Sequence, residues 1–324
     1  MCTAISYKTN NLYFGRTLDY DFSYCEEVCI TPRNYVFNFK HVQPIKSHYA
    51  IIGMAYTVED YPLYYDAVNE KGLCIAGLNF VNNASYNSKN TIKDNIAVFE
   101  LIPWVLSQCA SVGDVKKLLE KINLTDTAFS ENLPPASLHW LIADKDCSIT
   151  LEAVQSGMFV YDNPVGVLTN NPSFDIQMFS LNDYWHLSAK SPHKKFCNKI
   201  DLTEYSRGMG AIGLPGDLSS RSRFVRACFT KLNSVCGNGE EESVGQFFHI
   251  MDTVSQTRGC CDIGDRQYEI TVYTSCCNAD KGIYYYTTYN NRQITAVDMH
   301  KEDLNGNKLI RYPLVNKMQI NFQN

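Results

Sequence analysis

Runs of β-branched and aromatic residues recur from one end of this chain to the other, and they restrict it to a sheet-based fold. The first two, TAISYKT and LYFGRTLDY, flank the turn-like pair Asn10-Asn11 and predict a β-hairpin. The further strand-like runs are YAIIGMAYT, GLCIAGLNF, SLHWLIA, SITLEAV, VGVLTN, EITVYTSCC and GIYYYTTY. This many strands predict two or more sheets.

Helical signals lie between the strands in two groups. In the first, residues 96–109 are apolar, and Pro103 either kinks this helix or lies in its first turn. Ser111 then caps a helix whose apolar stripe runs to Ile122. The second group is marked by the stripe Val225, Cys228, Phe229 and Leu232 and by a capping-box pattern at Ser243 and Gln246. This order predicts an α+β fold with helices on the outer faces of stacked sheets.

The composition predicts one large globular domain, residues 1–324. It is 45% hydrophobic and 19% charged, without a linker-like stretch or an internal repeat. The net charge of −5 is spread along the chain, so nucleic acid is not an expected partner. The N-terminal segment carries Lys8 and Asp19 instead of the apolar core of a secretory signal, and no stretch approaches the roughly 20 apolar residues of a membrane span. We therefore expect a cytoplasmic protein without membrane insertion.

Thirteen cysteines raise the question of disulfides or a metal site. A reducing compartment would keep them as thiols. Cys25 and Cys29 are separated by three residues, and the adjacent pairs at 260–261 and 276–277 have no histidine set that would complete a tetrahedral zinc site. We expect no metal and no cofactor.

Cys2 stands directly behind the initiator methionine. Removal of Met1 would leave a first residue with both a thiol and a free α-amine, whose reference pKa of about 7.7 to 8.0 lets it accept a proton near neutral pH. The N-terminal amine of a chain is an established base for a side-chain nucleophile. A cysteine at position 2 is more often incidental than catalytic. Other residues must therefore show whether Cys2 is a nucleophile.

Several polar residues stand in otherwise apolar segments. Arg16 and Asp19 lie in one strand-like run, where they could simply pair with each other. Alternatively, both support Cys2: Arg16 favours its thiolate, and Asp19 accepts a hydrogen bond from its amine. Spacing alone favours the simple pair. Asn79 and Asn170 each end a strand-like run, either as turn residues or as N–H donors to an oxyanion. His139 is expected to be a satisfied core histidine.

Segments spread over the whole chain match one family in register. They are MCTAI, FGRTLDY, TPRNY, YPLYYDAVNEKGL, AGLNF, SLHW, GVLTNNP, GLPGD, SRFVR, FFHI and YTSCCNADKGIYYYTTY. In this order they resemble the choloylglycine hydrolase family of N-terminal nucleophile hydrolases. The resemblance implies a four-layer αββα sandwich with two stacked antiparallel sheets, and hydrolysis of a carboxamide through a thioester acyl-enzyme.

The resemblance also implies a role for each catalytic residue. Cys2 is similar to the nucleophile, and its freed amine to the base. The oxyanion hole would use the backbone N–H of Asn79 and the side-chain amide of Asn170. The complete catalytic set that it implies is Cys2, Arg16, Asp19, Asn79, Asn170 and Arg223.

The family comprises conjugated bile acid hydrolases and penicillin V acylases. The acylases commonly carry tyrosine where Asn79 stands, so this chain is expected to act on glycine- or taurine-conjugated bile acids. Arg207, in an SRG triplet, is the candidate partner of the substrate sulfonate or carboxylate. The candidates for an apolar wall around the steroid are Phe22, Tyr24, Ile102, Phe129 and Leu133. Tyr24 is also open to interpretation as surface packing.

Two alternatives stay open. An acylase of penicillin V or other N-acyl amides would use the same chemistry on another substrate class. A thiol-redox protein with a decayed site is disfavoured because the whole catalytic set is present. Relatives often form homotetramers partly through the 180–205 region, so the resemblance implies a homo-oligomer.

Overall fold

The computed structural model describes residues 1–192 and 196–324, so part of the 180–205 region lies outside the described residues. Its strands are β1 (Cys2–Lys8), β2 (Leu12–Tyr20), β3 (Glu27–Thr31), β4 (Ile51–Val58), β5 (Tyr61–Asn69), β6 (Cys74–Asn79), β7 (Asp94–Ala97), β8 (Ile122–Thr125), β9 (Leu138–Ala143), β10 (Ser148–Val154), β11 (Gly157–Asp162), β12 (Val167–Leu168), β13 (Asp262–Gly264), β14 (Gln267–Tyr268), β15 (Ile270–Asn278), β16 (Ile283–Thr288), β17 (Thr295–Asp298) and β18 (Ile310–Pro313). The α-helices are α1 (Leu101–Gln108), α2 (Val112–Leu119), α3 (Phe174–Ser180), α4 (Ser220–Asn233) and α5 (Glu240–Asp252).

Two antiparallel sheets form the centre of the fold. The first has the order β12-β1-β2-β15-β16-β17, and the second has the order β11-β10-β9-β6-β5-β4-β3-β18. The predicted N-terminal hairpin is confirmed, since Lys8 pairs with Leu12 across the turn. Every strand-like run found in the sequence coincides with a strand of one of these sheets.

Helices cover the outer face of each sheet. Helices α4 and α5 contact β1, β2 and β15 of the first sheet, while α1 contacts β4, β5 and β6 of the second. The second sheet is buried on both faces: Ile52 belongs to the core shared with the first sheet, and its neighbour Ile51 belongs to the core beneath α1 and α2. The result is a helix-sheet-sheet-helix sandwich, as predicted.

Four local predictions differ from the structure. The helix predicted from residue 96 begins at Leu101, because residues 94–97 pair with β8 as strand β7, and Pro103 lies in the first turn. Ile122 lies in β8 instead of on α2. Leu232 is 60% exposed, because the buried stripe of α4 runs through Phe224 and Ala227.

Helix α5 begins before the predicted capping box. Gly239 is its N-cap, and its N–H donates to Glu242 Oε2 at 3.2 Å. Ser243 therefore lies inside the helix, where its hydroxyl contacts Thr9 Oγ1 at 2.9 Å. The three glutamates at 240–242, which favour a helix N-terminus, are the signal that places the start earlier.

Two further observations concern the chain as a whole. All thirteen cysteines are free thiols in the structure. None of the helices among residues 1–192 and 196–324 has the length and apolar character needed to cross a bilayer.

Candidate active site

Cys2 opens the first strand, and strand pairing decides what its thiol faces. Cys2 pairs with Leu18 and Ala4 pairs with Arg16, so the thiol and the Arg16 side chain point to the same face of the sheet. Arg16 Nη2 donates to Cys2 Sγ at 2.5 Å. Both side chains are almost completely buried. The structure thus brings the predicted nucleophile and its predicted activator into direct contact.

Arg16 is held from the second sheet. Its Nη1 donates to the carbonyl oxygens of Gly77 and, at 3.3 Å, of Tyr65. Burial opposes the charge of this guanidinium, yet the negative groups around it, Cys2 foremost, keep its pKa above the usual value. Because those carbonyls hold the guanidinium in place, a cation stays beside the sulfur.

Asp66 lies behind Arg16 and completes the charge balance. Its carboxylate accepts hydrogen bonds from Tyr273 Oη at 2.9 Å, Ser275 Oγ at 3.0 Å and Tyr284 Oη at 2.6 Å. Burial raises the pKa of Asp66, while Arg16 and these hydroxyls oppose the shift. This network satisfies a carboxylate that would otherwise be costly to bury.

Asp19 and Arg223 occupy the opposite face of the first sheet. The Asp19 carboxylate accepts from Thr271 Oγ1 at 2.7 Å and Thr17 Oγ1 at 3.0 Å, and Arg223 Nη1 lies 4.0 Å away. Burial raises the pKa of Asp19 and lowers that of Arg223, and each charge opposes the shift of the other. The simple Arg16–Asp19 pair is therefore not what the structure forms: Asp19 pairs with Arg223, and Arg16 contacts the thiol.

Arg223 reaches from helix α4 to the start of strand β1. Its Nη1 donates to the Cys2 carbonyl at 2.5 Å and to Thr3 Oγ1 at 2.7 Å, and its Nη2 donates to Asn170 Oδ1 at 2.7 Å. These contacts fix the backbone of the predicted nucleophile to α4.

The Asn170 amide has one orientation that satisfies its neighbours. Its Oδ1 accepts from the Cys2 N–H at 2.8 Å as well as from Arg223. Its Nδ2 therefore points the other way and donates to the Asn79 carbonyl at 2.8 Å. An amide nitrogen carries two hydrogens, so one donor remains for another oxygen. Asn79 and Asn170 thus meet beside Cys2.

Met1 precedes Cys2 and lies beside this site. Its amine donates to the Asp19 carbonyl at 2.6 Å and forms an ion pair with Glu269. The amine that the resemblance assigns to catalysis is that of Cys2, which here forms the peptide bond to Met1.

A cavity of about 420 Å³ opens on the thiol. Its floor includes Cys2 and Arg16, and its walls are mainly aromatic and aliphatic. The lining residues include Leu18, Tyr20, Tyr24, Tyr56, Leu63, Phe99, Phe129, Leu133, Pro134 and Leu138. A second cavity of about 610 Å³ is lined by Met1 and Glu269, and it shares Tyr20 and Asn79 with the first.

The structure separates the predicted wall residues into three groups. Phe129, Leu133 and Tyr24 line the cavity. Phe22 is 46% exposed and packs against the rings of Tyr20 and Tyr24, with centroid distances of 5.0 and 4.6 Å, which places it at the rim.

Ile102 and Arg207 lie elsewhere. Ile102 is 3% exposed because the second residue of α1 turns into the core beneath the second sheet, so it is not on the cavity wall. Arg207 is exposed and lines neither of these cavities. Its assignment to the substrate anion stays a prediction.

A family model described as linear amide C–N hydrolases, choloylglycine hydrolase family, matches residues 2–312. This chain belongs to the choloylglycine hydrolase family. The predicted N-terminal nucleophile fold is confirmed with it, since solved members superpose on the whole chain.

Relatives within the choloylglycine hydrolase family share the full length of the chain. A bile salt hydrolase/transferase of Lactiplantibacillus plantarum is 57% identical over 98% of each chain. A crystal structure of a variant of conjugated bile acid hydrolase from Clostridium perfringens is 37% identical and superposes with a TM-score of 0.92 over 100% of both chains. A penicillin V acylase from Agrobacterium tumefaciens shares the fold, with a TM-score of 0.75 at 21% identity over 96% of this chain and 90% of its own.

Sequence reasoning missed several residues that support this family site. Asp66, Thr271 and Ser220 are among them, and Ser220 Oγ accepts from the Asn170 N–H at 2.8 Å. A signal was present for part of this set, since EITVYTSCC carries a hydroxyl at every second position, on Thr271, Tyr273 and Ser275. Ser220 lies in the run of serines before SRFVR, a pattern typical of a helix N-terminus.

Proposed function

We propose that this enzyme hydrolyses the amide bond of glycine- or taurine-conjugated bile acids and releases the free bile acid and the amino acid. The observation that carries the proposal is a largely apolar cavity whose floor is the Cys2 thiol. Such a cavity suits a rigid amphipathic steroid, because apolar walls bind the rings and a few polar groups orient the reacting end. Asn79 in place of tyrosine favours bile acid conjugates over penicillin V.

The chemistry requires removal of Met1. The freed Cys2 amine takes the thiol proton, and the thiolate, stabilised by the Arg16 guanidinium, attacks the amide carbonyl carbon. The C–N bond then breaks as the ammonium returns its proton to the departing amine, which leaves a thioester. Water, deprotonated by the same amine, hydrolyses the thioester. A group that acts first as base and then as acid works best with a pKa near the working pH.

The oxyanion needs two preorganised donors. The Asn170 amide has one N–H beyond the one bound to the Asn79 carbonyl, and the resemblance assigns the second donor to the Asn79 backbone. Donors held in this way contribute several kcal/mol to transition-state stabilisation, on the order of 3. Arg223 and Asp19 act indirectly on the reaction, because they fix the positions of the Cys2 backbone and the Asn170 amide.

Release of amine from three substrates tests the proposal. Purified protein is incubated with taurocholate, glycocholate and penicillin V, and free amine or 6-aminopenicillanic acid is measured beside a Cys2→Ala control. We expect release from at least one conjugate and none from the control. Cleavage of penicillin V alone would move the protein to the acylase class, and no cleavage at all would end the proposal.

We further propose a cytoplasmic homotetramer. Large apolar side chains are exposed along one stretch of the chain, which water would disfavour in a lone subunit. They include Phe179, Trp185, Phe196 and Tyr205. A second copy of the chain is the proposed cover for this surface.

A further inference from the structure

His139 is a buried histidine behind the site, and both of its ring nitrogens have partners. It lies on β9, with Nε2 at 2.9 Å from the Thr169 carbonyl and Nδ1 at 3.0 Å from Glu152 Oε1. Its ring stacks on Phe80 with a centroid distance of 4.3 Å and an interplanar angle of 9°. The expectation of a satisfied core histidine is confirmed. The positions of these partners in the chain connect His139 to the proposed oxyanion hole.

Two of these three partners are sequence neighbours of the proposed oxyanion-hole residues. Phe80 follows Asn79, and Thr169 precedes Asn170. Glu152 Oε1 also accepts the N–H of Phe174 at 3.0 Å, on the far side of the loop that carries Asn170. One side-chain pair therefore holds the end of β6 and both ends of the Asn170 loop, although these segments are separated by about 90 residues in the chain.

The hydrogen-bond inventory of the pair determines where hydrogens lie on the His139 ring. The Thr169 carbonyl only accepts, so His139 Nε2 must carry a hydrogen. Nδ1 faces a carboxylate oxygen, and two lone pairs at 3.0 Å would repel, so a second proton lies between Nδ1 and Glu152. The ring is thus fixed in plane and direction by two hydrogen bonds and one stack, with no freedom to rotate.

We propose that His139, with Glu152, is a positioning residue that sets the spacing between the two oxyanion donors, Asn79 and Asn170. The inference rests on the proposed function, since it assigns that spacing a catalytic purpose. His139 contacts neither the thiol nor the cavity. It acts through Phe80 on one donor and through the Thr169 carbonyl on the other.

The consequence is specific to the transition state. Loss of His139 leaves the cavity walls and the contact between Arg16 and Cys2 in place, but lets the donors drift from the oxyanion. A misplacement of about 1 Å at a reacting centre costs on the order of 100-fold in rate. We expect His139→Gln to lower kcat roughly 10- to 100-fold with KM nearly unchanged.

A double-mutant cycle with Asn170→Ala tests this. If His139 acts by setting the spacing between the two donors, the loss caused by His139→Gln shrinks to about twofold or less in the Asn170→Ala background, where one donor is already missing. Alkylation of Cys2 by iodoacetamide reports on an intact fold and is expected to keep its wild-type rate in His139→Gln. Phe80→Leu, which removes the stacking ring and keeps both hydrogen bonds, should lower kcat in the same direction by a smaller factor.

His48 provides a matched control. It is also buried, with Nδ1 at 2.6 Å from the Tyr49 carbonyl and Nε2 at 2.9 Å from the Tyr35 carbonyl, and its ring packs at a tilt of 45° against Phe37. His48→Gln should lower the melting temperature as His139→Gln does, while its kcat stays near wild type.

The outcomes separate the inference from the proposed function. If Asn170→Ala is impaired and the losses of the two single variants multiply in the double variant, the inference is overturned while the proposed function still holds. Equal losses of kcat in His139→Gln and His48→Gln also overturn it, because the effect is then general destabilisation. An Asn170→Ala variant of full activity overturns the oxyanion assignment and the inference with it.

Discussion

Cys2 depends on groups that approach it from three directions. Arg16 contacts its sulfur, the Asn170 amide accepts its backbone N–H, and Arg223 donates to its carbonyl. Each of these partners is itself buried and held by further hydrogen bonds, so their positions relative to the sulfur are fixed before a substrate arrives. Preorganisation of this kind avoids the reorganisation cost that water would impose during the reaction.

The state of the N-terminus gives a residue-scale prediction. A cleavable tag placed directly before Cys2 yields two matched proteins, one uncleaved and one with Cys2 as the first residue. We expect the uncleaved protein to be at least about 100-fold slower, because a peptide nitrogen cannot serve as the base. Mass spectrometry of each sample identifies its first residue, and amine release from taurocholate measures its rate.

Cys2→Ser in the cleaved protein is the companion variant. It keeps the free amine and removes the sulfur, and we expect a severe loss of rate. Comparable turnover in the uncleaved protein would contradict the catalytic role of the amine, and comparable turnover in Cys2→Ser would contradict that of the thiol.

At this scale the residue types were predictable but their partners were not. A thiol, an amine and a buried arginine carry recognisable chemistry in any sequence. Asp19 could not be assigned between Arg16 and Arg223, because Arg223 reaches it from a helix about 200 residues away in sequence. His139 likewise reads as a core residue until Phe80 and Thr169 are placed on either side of it.

At the scale of elements, a β-bulge in β15 determines which hydroxyl serves which carboxylate. Thr271 pairs with Asp19 and Tyr273 pairs with Leu18, so the register shifts between them. Neighbouring residues of β2 face opposite sides, and the bulge therefore turns Thr271 toward Asp19 while Tyr273 and Ser275 face Asp66. Regular alternation predicts one face for all three, and for this reason the sequence could not locate the Asp19 support.

The loop that follows β8 and the helix α1 give a matched pair of variants. Phe129 lies on the cavity wall, while Ile102 is buried on α1. Phe129→Ala should raise KM for taurocholate roughly tenfold, because an aromatic wall residue no longer excludes water from the steroid. Steady-state kinetics measure this change.

Ile102→Val is the control for that experiment. It removes one buried methyl group and should lower the free energy of unfolding by about 0.5 to 1.5 kcal/mol with KM unchanged. Urea denaturation measures the stability term. A raised KM in Ile102→Val would indicate that Ile102 contacts the substrate after all. An unchanged KM in Phe129→Ala would contradict the role of Phe129 in binding the steroid.

At the scale of the whole molecule, the sandwich stacks two sheets of different character. The second sheet packs an apolar core against each of its faces and also holds the buried carboxylates Asp66 and Glu152, whereas the first holds buried Arg16 and Asp19 close to the start of β1. The layered order was predictable from alternating strands and helices. The sheet orders were not, since β15 lies beside β2 although some 250 residues separate them.

The proposed assembly gives a prediction for the intact protein. Trp185 is 84% exposed, and Trp185→Glu places a charge on the surface proposed to face a second copy. Light scattering after gel filtration should show the wild type as a tetramer and Trp185→Glu as smaller species, because burying an unpaired carboxylate is costly. Val235→Glu, at a residue that is 90% exposed outside this stretch, is the control and should leave the mass unchanged. A monomeric wild type would refute the assembly.

The ion pair between the Met1 amine and Glu269 has a consequence for the order of events during synthesis. A peptidase that removes Met1, as the proposed mechanism requires, needs an accessible N-terminus, and the chain offers one before β15 pairs with β2. Once β15 joins β2, the amine is tied to the sheet, and the peptidase must first break that contact. If catalysis needs the free Cys2 amine as proposed, we therefore expect Met1 to be removed faster from the unfolded chain than from the folded protein.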